Sequence, residues 1–124
     1  MAKTVFIVDD SNTVIMSLKS TLEMNGFSVE TANDGLQALD KLKSGIKPDL
    51  IISDINMPNM GGIEFIKNAR MMNGLRFIPI LVLTTESQQT KRDEAKRVGA
   101  TGWLVKPIAG NELIKIIKQV LPGI

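Results

Sequence analysis

An acidic pair, Asp9-Asp10, follows the apolar run Val5-Phe6-Ile7-Val8, and a single acid, Asp54, follows Leu50-Ile51-Ile52-Ser53. An acid at the mouth of a buried apolar run is costly unless something there uses its charge. The chain has no histidine and no cysteine, which removes the commonest general base and the imidazole and thiolate metal ligands. If the three acids met, they would repel, and each would resist ionising unless a cation sat among them. With oxygen donors alone that cation is a hard one. Magnesium, which keeps several waters and takes one or two carboxylates, suits a shallow site. Two more groups stand in similar positions: Thr84-Thr85 after the run Ile78 to Leu83, and Lys106-Pro107 after Gly102 to Val105. A metal, a lysine and a hydroxyl facing a carboxylate can bind a phosphoryl group. Asp54 would then be the nucleophile and its product an acyl phosphate. Taken singly, each piece has a plainer reading. Asp9-Asp10 could cap a helix, Asp54 a turn before Pro58, and Thr84 a helix, while Lys106 could be a solvated surface charge.

The elements that must position these groups are legible in the apolar pattern. Val5 to Val8 reads as a strand, and Ser11 or Asn12 caps a helix with Ile15, Leu18 and Leu22 at helical spacing, ended by Asn25-Gly26. Phe27 to Thr31 alternates as a strand. Asn33 or Asp34 caps a helix carrying Leu36, Leu39 and Leu42, and Ser44-Gly45 closes it. A strand from Asp49 to Ser53 follows. Gly61-Gly62 leads into a helix with Ile63, Ile66 and Ala69. A fourth strand, Ile78 to Leu83, precedes a helix from Gln88 to Val98, opened by Ser87 and ended by Gly99. The last strand is Gly102 to Val105. Asn111 is expected to cap a final helix with Leu113, Ile116, Ile117, Val120 and Leu121, stopped at Pro122. Strand and helix thus alternate five times, and four strands are near-continuously apolar. That pattern implies an α/β doubly wound, flavodoxin-like (βα)5 fold: a five-stranded parallel sheet with helices on both faces, order 2-1-3-4-5. In such a sheet ligands bind beyond the carboxyl ends of the strands, where the strand order reverses. Every candidate group falls at a carboxyl end.

The chain has 124 residues and a net charge of +2. The length fits one domain, 1–124, with no segment left over for an output domain. No long basic run points to nucleic acid, and no apolar run is long enough for a signal peptide or membrane span. A cytoplasmic monomer is the expectation.

The segments FIVDDS, SDINMPNMGG, LVLTTE and WLVKP, in that order, resemble the receiver domain of two-component response regulators across essentially the whole chain. The wording NMPNM and the single-domain length are most similar to the stand-alone chemotaxis response regulators of the CheY type. The resemblance implies that Asp54 is phosphorylated by a sensor histidine kinase. It implies that Asp10 binds magnesium directly, that Asp9 does so through water, and that the Asn56 carbonyl is a further ligand. Lys106 is implied to contact the phosphoryl group, with a cis Lys106-Pro107 bond. Thr84 is implied to swing onto the phosphate, with Trp103 changing position alongside it. Asn56 and Glu86 stand where the family tunes dephosphorylation, by itself or with a phosphatase. Three residues depart from the usual pattern: Trp103 replaces Tyr or Phe, Thr85 replaces a smaller residue and narrows access to the phosphate, and Gly61 replaces an acid and should loosen the turn after Pro58.

The resemblance also implies an output surface on the fourth helix, fifth strand and fifth helix. There Lys91, Arg92, Lys115 and Lys118 suit an acidic partner, expected to be a flagellar motor switch protein. The fourth helix has little apolar content besides Ala95 and Val98, as a mobile element should. The expected activity is that of a phosphoacceptor switch, not an enzyme with an external substrate. Two alternatives use the same residues. One is a phosphorelay intermediate serving a histidine phosphotransfer protein. The other is a magnesium phosphohydrolase, for which Asn56 stands where a general acid is needed.

Overall fold

The computed structural model describes residues 2–121. The chain order is β1 (Thr4–Val8), α1 (Asn12–Met24), β2 (Ser28–Ala32), α2 (Gly35–Lys43), β3 (Leu50–Ser53), α3 (Gly62–Arg70), β4 (Ile80–Thr84), α4 (Gln89–Val98), β5 (Gly102–Val105) and α5 (Gly110–Val120). The strands form one parallel sheet in the order β2-β1-β3-β4-β5. This is the flavodoxin-like arrangement expected from the alternating pattern.

Side-chain alternation along the central strands feeds two cores. Phe6, Val8, Ile51 and Val82 face α2, α3 and α4, with Phe65 and Ile66 among their neighbours. Val5, Ile7, Leu50, Ile52, Leu81 and Leu83 face α1 and α5. Burying one such side chain contributes about 1.5–3 kcal/mol, so strands packed on both faces hold the rigid centre of the molecule.

Side-chain caps set two of the five helix starts. Ser11 Oγ accepts from the Val14 amide, and Asp34 Oδ1 accepts from the Gln37 amide at 2.8 Å, which resolves both pairs of candidate caps. Several readings need correction. Leu36 is 48% exposed, because α2 buries Gly35, Ala38, Leu39 and Leu42 and a residue one step from that stripe points about 100° away. Asn111 lies inside α5, whose cap is the extended backbone of Ala109. The helix begins at Gly110, where a Cβ would lie 3.1 Å from the Thr21 methyl, so glycine suits the close approach of α5 to α1. Phe27, Asp49 and Ile78 lie before their strands, and the cap of α4 is Gln88, one residue after Ser87; Phe27 is buried as a core residue. The expected stop at Pro122 lies outside the described residues.

Candidate functional site

Parallel register assembles the site. Val8 pairs with Ser53, so Asp9 and Asp54, each the next residue, leave β1 and β3 side by side, and the Asp54 amide donates to the Val8 carbonyl at 2.9 Å. Thr84 pairs with Val105, so Lys106 leaves β5 at the same edge, with its amide donating to the Thr84 carbonyl. Four strands therefore present Asp9, Asp54, Thr84 and Lys106 together, and Asp10 extends the acidic pair.

Lys106 Nζ lies 2.7 Å from Asp9 Oδ2 and 2.9 Å from Asp54 Oδ2. Asp9 is 2% exposed and Asp54 7%. The remaining oxygens are held by backbone amides. Ser11 N–H donates to Asp9 Oδ1 at 2.9 Å, and Ile55 N–H donates to Asp54 Oδ1 at 2.6 Å. Burial pushes the Asp9 carboxyl above its ordinary value, and the hydrogen bonds from Lys106 and Ser11 do not fully offset it. Burial works against charge on Lys106 too, but its hydrogen bonds to Asp9 and Asp54 outweigh that and hold the ammonium above the ordinary lysine range. A single cation is thus shared between two carboxylates that are poorly hydrated.

The donor set suits a further, hard cation. One oxygen from each of Asp9, Asp10 and Asp54 lies within 4.8 Å of the other two. At that spacing an ion such as magnesium takes one or two carboxylates directly and reaches others through its own water. Asp10 is exposed and faces solvent, the side from which an ion would arrive.

The remaining candidates sit in a ring around this centre. The Thr84 side chain is fully buried and its hydroxyl accepts from the Glu86 amide at 3.1 Å, so it is held on the β4–α4 loop. Thr85 is exposed. Asn56 Nδ2 donates to Glu86 Oε1 at 3.4 Å, a long bond that joins the two loops across the opening. Trp103 is not among the carboxylates. It packs half-buried against the core beside α4 and lines a groove with Arg92, Ala95 and Lys96. The Lys106-Pro107 bond is cis.

Three contributors were not legible as such in the sequence. A Cβ on Gly62 would fall 2.0 Å from the Asp54 carbonyl oxygen, so α3 begins directly against the backbone that presents Asp54. Only side-chain-free backbone fits there; the Gly-Gly pair signalled a turn but not this approach. The turn after Pro58 is tied down, not loosened as Gly61 suggested. Gly62 N–H donates to the Ile55 carbonyl, Gly35 N–H donates to the Met60 carbonyl, and Asn59 Nδ2 donates to Asp34 Oδ2. Asn59 supplies the left-handed residue of that turn, a conformation asparagine tolerates better than most. Finally, Glu86 Oε2 accepts from the amides of Ser87 and Gln88, satisfying donors ahead of α4 where no side chain of the cap itself does so.

Comparison with known proteins agrees with this geometry. Residues 5–118 match the response regulator receiver domain family. The response regulator MprA of Mycobacterium bovis is 36% identical over 121 residues, which is 98% of this chain and 51% of that protein. The chain thus spans about half the length of the curated relatives it matches. The solved chemotaxis response regulator CheY4 of Vibrio cholerae superposes with a TM-score of 0.91 at 47% identity, covering 98% of this chain and all of that one. The signal receiver domain of a signal transduction histidine kinase from Syntrophus aciditrophicus gives 0.89 at 34% identity, covering 99% and 92%. With its acids, threonine and lysine gathered at one edge of a 2-1-3-4-5 sheet, this chain belongs to the response regulator receiver domain family.

Proposed function

We propose that this receiver accepts a phosphoryl group on Asp54 from a sensor histidine kinase, and that the phosphorylated form binds a protein target. The observation that carries the proposal is the Lys106 ammonium bridging Asp54 and Asp9, with Asp10 beside them. In the transfer an Asp54 carboxylate oxygen attacks the phosphorus of a phosphohistidine. The oxygen–phosphorus bond forms, the nitrogen–phosphorus bond breaks, and the freed imidazole takes a proton. Magnesium, held by Asp10 and Asp54 with the Asn56 carbonyl and with Asp9 through water, would neutralise charge on the transferred group. Lys106 turns its point charge from the carboxylates to a phosphoryl oxygen. Thr84 rotates away from the Glu86 amide and donates to another. Thr85 borders the entry, and Asn56 and Glu86 border the path of the water that ends the signal.

The movement of Thr84 releases its hold on the β4–α4 loop, and we infer that α4 and Trp103 respond. The surface of α4, β5 and α5 then meets an acidic partner segment through Lys91, Arg92, Lys115 and Lys118. Similarity to CheY4, described as a chemotaxis response regulator, supports a stand-alone monomeric switch in chemotaxis that acts on a flagellar motor protein and is reset by itself or by a phosphatase. No helix among the described residues is long and apolar enough to cross a membrane, in keeping with a cytoplasmic site of action.

The likeness to a receiver within a histidine kinase favours a second reading, a phosphorelay step to a histidine phosphotransfer protein. Asn56 in place of a second acid argues against a phosphohydrolase. Mass spectrometry after treatment with acetyl phosphate and magnesium tests the chemistry. A single adduct at Asp54, absent in Asp54→Asn, is expected; an unmodified Asp54 would overturn it. A pull-down comparing beryllofluoride-treated and untreated protein tests the output. Motor components enriched by treatment are expected, whereas phosphotransfer proteins alone would move the chain to the relay.

A further inference from the structure

The chain has four phenylalanines. Phe6, Phe27 and Phe65 are buried, but Phe77 is 90% exposed, and Met71 beside it in the same loop is 70% exposed. Both lie between α3 and β4, at the amino ends of the strands and so on the opposite edge from Asp54. With Met72, Ile78 and Pro79 they line a shallow groove of about 620 Å³. A single exposed apolar residue needs no explanation, whereas five apolar residues on one groove, shared with Asn73 and Arg76, do.

The loop is built to hold these side chains out. Leu75 anchors it in the core. The Arg70 guanidinium donates to the carbonyls of Leu75 at 2.9 Å and Ile78 at 2.6 Å, and also to Gly99 at the end of α4. A Cβ on Gly99 would lie 2.9 Å from Arg70 Nε, so glycine at that position makes room for the clamp. Phe77 therefore projects from a pinned loop, and an anchor fixed in place before binding loses little entropy when it is covered.

We propose that the α3–β4 loop is a docking surface for an acidic, apolar-studded peptide segment of a partner protein. The charge points to an acidic partner. Residues 70–79 contain Arg70 and Arg76 and no acid, and the Arg70–Gly99 bonds bring the basic last turn of α4, Lys96 and Arg97, to the same end. A second copy docking this face symmetrically would set Arg76 against Arg76. A membrane surface would call for a basic amphipathic helix, and this is a concave loop.

The test is a nuclear magnetic resonance titration of the ¹⁵N-labelled full chain with a synthetic peptide alternating glutamate and leucine. A matched peptide carrying lysine for glutamate serves as control. The expected result is saturable shifts at Met71, Arg76, Phe77 and Ile78. Phe77→Ser should weaken binding about tenfold, the scale of a central aromatic anchor. Arg76→Glu should reverse the preference between the two peptides. Both side chains are exposed, so the variants keep the fold, and unchanged spectra away from the loop verify this. The proposal is overturned by absence of saturable shifts, by shifts on another face, or by equal binding of the lysine peptide. It is equally overturned by a response to phosphatidylglycerol vesicles in place of the peptide, or by self-association without peptide. Failure of the phosphoacceptor reading would appear separately, as no beryllofluoride response at Asp54.

Discussion

The ammonium of Lys106 sits between two buried carboxylates, and burial has made Asp9 costly to ionise. Removing it in Lys106→Ala leaves Asp9 and Asp54 facing each other with no counter-charge. In chelator at neutral pH this should cost about 1.5–3 kcal/mol, the range for hydrogen bonds to charged groups. Added magnesium should return part of the loss. Urea unfolding followed by emission of Trp103, the single tryptophan, measures both. The pH dependence has a definite sign. The folded-state value of Lys106 is raised, so its contribution is complete below the ordinary lysine value of 10.5 and is lost as pH climbs through the raised one. The difference between wild type and variant should therefore be level across neutral pH and shrink in strong alkali. Asp9 is also raised, so its contribution favours the fold below the ordinary value of 3.8 and is lost as pH rises through its own raised value. At neutral pH its charge weighs against the fold, which is the physical reason a cation is welcome here.

Single positions at the element ends decide how well the site is held. A methyl group at Gly62 would land 2.0 Å from the Asp54 carbonyl oxygen, so Gly62→Ala must push α3 away from β3. We expect a loss of about 1–3 kcal/mol, the usual cost of overpacking. Acetyl phosphate labelling of Asp54 should slow as well, because the turn that orients it shifts; labelling at the wild-type rate would show that the turn and the carboxylate are not coupled. At α2, Asp34 caps the helix and also holds Asn59 of that same turn. Asp34→Ala should cost about 1 kcal/mol at neutral pH by urea unfolding. Hydrogen bonds from the Gln37 amide and Asn59 keep the Asp34 carboxyl below its ordinary value. Its contribution is therefore present above the ordinary value of 3.8 and is lost as pH falls through the depressed one, so the cost of the substitution should shrink in acid. The sequence announced a cap near Asn33-Asp34 but could not say that the same carboxylate fastens a loop 25 residues away.

Across the whole molecule, stability is unevenly shared. The central strands are buried on both faces, whereas α4 buries Ala95 alone. Amide hydrogen exchange of the unphosphorylated protein should find α4 opening well before β1, β3 and β4, and beryllofluoride with magnesium should slow exchange at its first turn. Protection of α4 equal to that of the strands would remove it as the responsive element. The sequence by itself determined the alternation of five strands and five helices, the apolar strands that require a two-sided parallel sheet, and the placement of the acids, the threonine and the lysine at carboxyl ends. These follow from local periodicity and from the absence of histidine and cysteine, which nearest neighbours in the chain already encode. Tertiary structure decided the rest. Register set Asp9 beside Asp54, and reach across the sheet brought Lys106 to both. The Asp54 carbonyl made Gly62 necessary, and the Arg70 clamp turned Phe77 outward. Each of these is a meeting of residues far apart in sequence, fixed only when the sheet closes, so no local pattern could carry it.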